Sequence, residues 1–410
     1  MNHQIELLAP AGNFEKLKFA FHYGADAVYC SGKNFGLRAF AGNFSNEELA
    51  EAIKYTHNIG KKIYVTLNMY PHNPELEGLE EYLNFLEEVR PDALLIADPG
   101  VYSIAQSLNI TVPIHISTQA TIVNWAGVHF WEEQKNIERV VLARELSLDE
   151  IKTISEKTNT ELEIFVHGAM CMSYSGRCLL SNYMTGRDAN KGECAQPCRW
   201  NYAIVEEKRP GVYYPIQEDE HGSYIFNSYD LCTLERLPEI LEGNLVESLK
   251  IEGRMKSLYY VSTIIRCYRQ VIDHYMEHGS IDPEEHKYWL DELEKVSHRP
   301  YTTGFLFGRP EDNAVNNTSS GYIKPYDFVG VVKDYNPDTQ MATIEQRNKI
   351  SVGDTIQFFG TTYKEYDHTV AEMFDEHHES IETAPHAQQI IHIKVPFAVE
   401  PMDLIRKKID

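Results

Sequence analysis

Ile5-Glu-Leu-Leu-Ala-Pro-Ala-Gly12 is a short apolar run closed by a proline and a glycine; an amphipathic stretch, Asn13–Tyr23, and a second apolar run, Ala27-Val-Tyr-Cys30, follow it. This strand–helix–strand pattern repeats through the first 280 residues. Further strands are predicted at Ile63–Leu67, Ala93–Ala97, Ile114–Ser117, Val140–Ala143, Leu162–Val166 and Ser248–Ile251. Each is short and continuously apolar rather than alternating, as for parallel strands buried on both faces. Helical periodicity fills the gaps at Ser45–Asn58, Gly78–Val89, Pro99–Leu108, Thr121–Gln134 and Ser147–Lys157, with Ser45 and Ser147 as N-caps ahead of first-turn acids. Eight such strands predict an α/β fold, a (β/α)8 TIM-like barrel over residues 1–280. A doubly wound sheet gives no reason for the count to stop at eight.

The polar residues after these strands agree with a barrel. Asn68, Asp98, His115, Thr118, Gln119, Arg144, Glu145, His167, Glu252 and Arg254 stand at or just past strand ends. A barrel gathers such positions on its C-terminal face, where barrel enzymes carry their sites. The seventh connection breaks the rhythm. About 80 residues separate Val166 from Ser248, far beyond an ordinary βα loop, so 167–247 is predicted to be a cysteine-rich insertion after strand 7. Within it, Lys208-Arg-Pro-Gly-Val212 and Glu218-Asp-Glu-His-Gly222 read as turns of a small hairpin excursion. Residues 281–322 are assigned as a connecting segment, helical at Glu284–Val296. Phe328–Lys333, Met341–Glu345, Thr355–Phe359 and Ile390–Val395 then predict a small C-terminal all-β barrel domain over 323–410.

Five of the seven cysteines fall in the insertion: Cys171, Cys178, Cys194, Cys198 and Cys232. The first ten residues carry Glu6 where a secretory leader would be apolar, and no apolar run approaches the roughly 18 residues of a membrane helix. These features predict a cytoplasmic protein with no membrane partner, in a compartment where clustered thiols bind metal or react. Zinc sites favour two short knuckles, and only Cys194-x3-Cys198 is short. An iron–sulfur cluster tolerates irregular spacing, and Gly168, Gly176 and Gly192 would let backbone approach it. Separate buried thiols are the third reading. For a four-thiol metal centre the chosen set is Cys171, Cys178, Cys194 and Cys232, with Cys198 the alternate. Cys30 and Cys267 are expected to pack in the core.

The formal net charge is −23, which argues against broad, nonspecific nucleic-acid binding. Arg254, Lys256, Arg266 and Arg269 lie close in sequence and allow a local basic surface.

The run from Glu163-Ile-Phe-Val-His-Gly-Ala-Met-Cys171 through Cys178-Leu-Leu-Ser181 resembles the signature of peptidase family U32, the collagenase-like proteins. Leu7-Leu-Ala-Pro-Ala-Gly12, Asp26-Ala-Val-Tyr29, Ser248-Leu-Lys-Ile-Glu-Gly-Arg254 with Met255-Lys-Ser257, and Ser297-His-Arg-Pro-Tyr-Thr-Thr-Gly-Phe305 extend the resemblance along the whole chain. It is nearest the branch whose members hydroxylate tRNA. That likeness implies oxygen-independent hydroxylation of the wobble uridine to 5-hydroxyuridine, with tRNA as partner and prephenate as co-substrate or cofactor. It also implies a [4Fe-4S] cluster on Cys171, Cys178, Cys194 and Cys232. An electron donor and a homodimer or second family member are further expected partners. A sister branch implies an rRNA cytidine substrate, and the family name implies a collagenase-like peptidase. The sequence contains neither a His-Glu-x-x-His run nor a Gly-x-Ser-x-Gly elbow.

If prephenate binds, its two carboxylates call for cationic forks. Arg144, Arg177 and Arg254 are the candidates, with Glu252 beside them; each arginine can equally form an ordinary ion pair, Arg254 with Glu252 or Glu145. His167, four residues before Cys171, is an acid–base or hydrogen-bonding candidate, or else a buried, satisfied histidine. His115 carries the same pair of readings. Tyr174, Tyr183 and Trp200 can stack a flipped base or pack a core. Lys324, Lys333, Arg347, Lys349, Arg406, Lys407 and Lys408 are candidates for gripping tRNA phosphates, or a solvated surface.

Overall fold

The structure, a computed structural model, describes residues 5–33, 35–36, 43–171, 173–174, 178–200, 229–308, 322–362 and 364–409, with the backbone of four two-residue strands between 204 and 223. The chain forms two compact units. One contains Met1–Phe21, Ala25–Lys256 and Arg299–Gly321, and the other His22–Gly24, Ser257–His298 and Tyr322–Asp410.

Eight parallel strands make the first unit's barrel: β1 (Glu6–Pro10), β2 (Ala27–Cys30), β3 (Lys62–Leu67), β4 (Ala93–Ile96), β5 (Ile114–Ile116), β6 (Ile137–Val141), β7 (Glu161–Ala169) and β8 (Ser248–Ile251). Each pairs with the next, and β8 pairs with β1, which closes the cylinder. β2, β4 and β5 are buried at every residue, as their unbroken apolar sequences require. Helices alternate with the strands, and the two serine caps form full capping boxes. Ser45 accepts from Glu48 N while Glu48 takes the Ser45 N–H, and Ser147 and Glu150 do the same. Those caps fix where helices Asn46–Asn58 and Leu148–Ser155 begin.

β7 runs three residues past the predicted apolar stretch, because its C-terminal end gains a partner of its own. Asp230–Cys232 pairs antiparallel with it and lies parallel to Tyr301–Thr302. In the seventh connection, Glu218–Asp219 pairs antiparallel with Gly222–Ser223, the expected hairpin. The expected turn at 208–212 lies outside the described residues.

In the second unit the helices Leu258–His278 and Pro283–Leu293 accompany a seven-stranded antiparallel sheet. Its order is Glu365–Thr369, Thr355–Phe359, Leu404–Lys408, Tyr326–Asn336, Met341–Gln346, Ile390–Lys394 and Met373–Asp375. The two outermost strands do not pair with each other among the described residues, so this sheet is an open half-barrel and not the closed barrel expected. Three strands that the sequence pattern hides widen it: Glu365–Thr369 and Met373–Asp375 are polar or short, and Leu404–Lys408 ends in three basic residues. Its core holds Val332, Ile344, Ile356, Phe358, Ile391 and Ile405. Among the described residues no helix is long and apolar enough to cross a membrane.

Candidate active site at the C-terminal mouth of the barrel

A pocket of about 510 Å³, part of it open to solvent, lies where the strands end. Tyr29 comes from β2, Thr66 and Asn68 from the end of β3, Ser117 and Gln119 from the turn after β5, and Arg144 from the turn after β6. Phe165 on β7, Lys250 on β8, and Glu252 and Arg254 beyond β8 complete the wall. Arg144, Lys250 and Arg254 face a single lining carboxylate, Glu252. In a chain of net charge −23, this concavity gathers positive charge, which suits an anionic ligand.

Each cation is held by named partners. Arg144 lies 3.8 Å over the Phe165 ring and donates from Nη1 to Ala169 O at 2.6 Å. Its Nη2 is 3.7 Å from Glu252 Oε2. The Tyr29 hydroxyl lies 3.0 Å from Ile251 O and 3.3 Å from the same Glu252 oxygen, which orients that carboxylate. Arg254 Nη1 donates to Thr66 Oγ1 at 3.2 Å, and Thr66 in turn donates to Cys30 O. Lys250 Nζ donates to Glu163 Oε1 at 2.7 Å and sits 4.6 Å over the Tyr29 ring.

Below the pocket the barrel interior is also charged. Arg139 reaches Glu6 at 2.5 Å, Glu161 at 2.7 Å and Glu163 at 3.2 Å. Burial alone would raise the Glu163 carboxyl, but Lys250 and Arg139 outweigh it and hold it below the usual range, so it stays ionised beneath Lys250. His115 belongs to this interior layer and not to the pocket lining. It is buried, its ring lies 4.7 Å from Tyr64, and burial pushes its pKa down despite Glu138 at 3.5 Å.

His167 takes a different place from Arg144, Glu252 and Arg254. The pairing of β7 with β8 slips between Lys250/Ile251 and Phe165/His167, so one residue of β7 is extra there. Glu163 and Phe165 keep the inward phase, whereas the His167 ring lies 5.4 Å from the Tyr301 ring, tilted 58° to it. Gly168 makes this join possible. Its φ is +116°, and a Cβ there would come within 2.5 Å of Glu252 O. The backbone of Glu252 also donates to His167 O at 2.8 Å, so the His-Gly pair sets the position of the pocket carboxylate.

Cys232 is buried directly across the ladder from His167. Its strand is locked by Asp230, which accepts from the Arg299 backbone N at 3.1 Å and from Arg299 Nε at 3.0 Å. Apart from the Ser297–Phe305 run, nothing in the sequence pattern points to that clamp.

Cys171 reaches solvent, yet the protein mass around its thiol raises the pKa; the thiols of Cys178 and Cys194 act in the same direction, and Ser173 N and Arg144 oppose them. Cys171 therefore feels an arginine of the pocket and two of the other chosen thiols. Their donor chemistry fits iron and sulfide. Among the described residues no group of three or more His, Cys, Asp or Glu side chains is drawn close enough to hold a single metal ion. Cys198 is half-buried on the same connection. Cys30 and Cys267 are buried in the core, with burial pushing the Cys30 thiol up to about 12.

Arg177 lies outside the described residues. Tyr174, Tyr183 and Trp200 are all exposed, so they do not pack a core. The basic candidates fare differently. Arg266 and Arg406 are fully buried, paired to Glu292 at 3.1 and 2.9 Å, so neither belongs to a surface for phosphates. Lys324, Lys333 and Lys407 each pair with a carboxylate. The missed site residue is Lys250: a lysine inside an apolar strand was the available signal.

A closed (β/α)8 barrel with its polar side chains gathered at the strand C-termini places this chain among barrel proteins whose loops carry the site. The chain belongs to peptidase family U32. Residues 12–316 match the description "Peptidase family U32" and residues 324–406 match "Peptidase family U32 C-terminal domain". It is 42% identical over 405 residues to tRNA hydroxylation protein P1 of Bacillus subtilis (strain 168), covering 98% of this chain and 94% of that protein. Its identity with tRNA hydroxylation protein P of Escherichia coli (strain K12) is 37%, over 96% of this chain and 94% of that one. A protein of Porphyromonas gingivalis (strain ATCC BAA-308 / W83) called collagenase is 30% identical over 98% of this chain and 97% of its own length.

Proposed function

We propose that this chain is a cytoplasmic iron–sulfur enzyme that hydroxylates the wobble uridine of tRNA to 5-hydroxyuridine without molecular oxygen, in a prephenate-dependent reaction. The carrying observation is similarity along nearly the whole length to relatives named tRNA hydroxylation protein. The cationic pocket supports it. In this proposal Arg144 and Arg254, with Lys250 on the floor, hold the carboxylates of prephenate, and Arg177 adds a fourth cation from the cysteine-rich insertion. Arginine suits this task because its planar fork matches a carboxylate with two hydrogen bonds. Glu252, oriented by Tyr29, takes the proton that leaves C5. His167 is a positioning residue that fixes the Glu252 backbone and faces the strand of Cys232.

Cys171, Cys178, Cys194 and Cys232 are proposed to hold a [4Fe-4S] cluster, with Cys198 able to substitute for Cys194. Held by all four thiols, such a cluster would be coordinatively closed and would supply electron transfer; an open iron acting as a Lewis acid would need one of the thiols to be spare. Replacing C5–H by C5–OH with water as the oxygen source releases two electrons and two protons, so a redox partner that accepts those electrons belongs to the proposal, as does a homodimer or a second family member. Exposed Tyr174, Tyr183 and Trp200 are proposed to meet RNA bases.

The test is mass spectrometry of tRNA nucleosides from a strain lacking this gene and any second family member. Loss of 5-hydroxyuridine derivatives, restored by the wild-type chain, is expected; their retention overturns the substrate. The likeness to a protein named collagenase favours a second reading, a peptidase. That reading requires peptide turnover by the purified, metal-free chain, abolished by replacing one nucleophile.

A further inference from the structure

A second concavity adjoins the pocket. The exit of β3 separates them: Asn68 lines the pocket and Met69 lines a groove of about 1390 Å³, much of it open to solvent. Lys33 and Phe35 from the turn after β2, Tyr82 and Phe85 from the helix Leu79–Val89, and Lys191 from the seventh connection form its other walls. Three of these residues make one offset stack. Phe35 and Tyr82 lie 5.7 Å apart at 26°, and Tyr82 and Phe85 lie 6.1 Å apart at 22°. Tyr82 is buried in the middle, whereas Phe35 and Phe85 are only half-buried.

The backbone is arranged to hold the outer ring there. Phe35 has φ +60°, a left-handed conformation that is uncommon for a bulky residue. Gly36 beside it has no room for a side chain, since a Cβ would fall on Ser31 Oγ. Core packing alone does not require a strained aromatic that stays half-open.

We propose that this groove is a second nucleobase subsite, which takes an unpaired base next to the target nucleotide by stacking it on Phe35 and Phe85. The inference rests on the RNA reading given above. The charges select a base over a phosphate. Lys191 is already paired with Glu75, and Glu77 and Glu81 are exposed at the rim, so among the described lining residues three carboxylates face two lysines, Lys33 and Lys191. Carboxylates repel phosphate, but they accept hydrogen bonds from the amino and imino groups of a base edge. Aromatic faces bind any base. With the target base in the barrel pocket and its neighbour in the groove, the β3 exit is the wedge between two splayed nucleotides.

The test uses the full-length, anaerobically purified protein and an anticodon stem–loop RNA carrying 2-aminopurine on one side or the other of the target uridine. Quenching of one probe on binding is expected. Phe35→Ala should abolish that quenching and weaken Kd about tenfold, and Phe35→Trp should restore both. Phe85→Ala, on a helix, is the second variant and should weaken binding in the same way. Binding by wild type with neither probe quenched, or an unaltered Kd in both alanine variants, overturns the subsite and leaves the RNA reading intact. No binding of the stem–loop by wild type overturns the RNA reading, and the subsite with it.

Discussion

At the scale of single residues, the pocket depends on a few buried charges whose partners are countable. Lys250 is the sharpest case, because Glu163 beneath it is wholly buried and, among the described residues, is ion-paired to Lys250 and Arg139. Lys250→Met should destabilise the barrel by about 3 kcal/mol, the low end of the penalty for removing one partner of a buried ion pair because Arg139 stays beside the carboxylate, read as a lower denaturant midpoint at unchanged slope. Arg254→Lys should keep the fold and weaken use of the anionic co-substrate, since lysine lacks the fork. Cys171→Ala should lose both iron and tRNA hydroxylation, whereas Cys267→Ala should keep both; equal behaviour would show that the site is drawn wrongly. The cysteines stand out in the sequence because five crowd one connection. Lys250 does not, since a lysine in a strand reads as a solvated edge until its carboxylate partner is seen. His167 was legible as a residue of interest but not in its direction. A one-residue slip in pairing reverses the side-chain alternation and leaves no mark in composition.

At the scale of elements, the eight barrel strands were readable because parallel strands are apolar without interruption, and Ser45 and Ser147 announced their helices by ordinary capping chemistry. The strand Asp230–Cys232 was not readable. It is three residues long, and its place is set by Arg299, 69 residues away in sequence. Burial alone would raise the Asp230 carboxyl, but Arg299 holds it below the usual range. A lowered folded pKa contributes stability above the unfolded value, near 3.8, and that contribution is lost as pH falls through the folded value. Asp230→Asn should therefore destabilise the barrel at neutral pH and flatten its loss of stability in acid, measured by urea unfolding from pH 7 to pH 3. Leu404–Lys408 was hidden for a related reason. Arg406 looks like a surface cation, yet it is buried against Glu292, whose carboxyl its charge pulls down to about 2 against the opposing effect of burial.

At the scale of the whole molecule, the two family descriptions cover the barrel and the C-terminal sheet in turn, and the full-length relatives share both. The C-terminal sheet was expected to close because four recognisable strands suggested a small barrel; three more strands open it instead. Family membership was legible from the run around Cys171, since a motif of that length is set by local backbone demands such as Gly168 as much as by chemistry. The proposed enzyme joins the cationic pocket to the cysteines of the seventh connection, and the electrostatic influence of Arg144 on the Cys171 thiol links the two. Iron and acid-labile sulfide in the anaerobically purified chain test that union most directly. A bound cluster predicts about four of each per chain with broad visible absorption, both lost in Cys171→Ala. Colourless protein with stoichiometric zinc and no sulfide would contradict it.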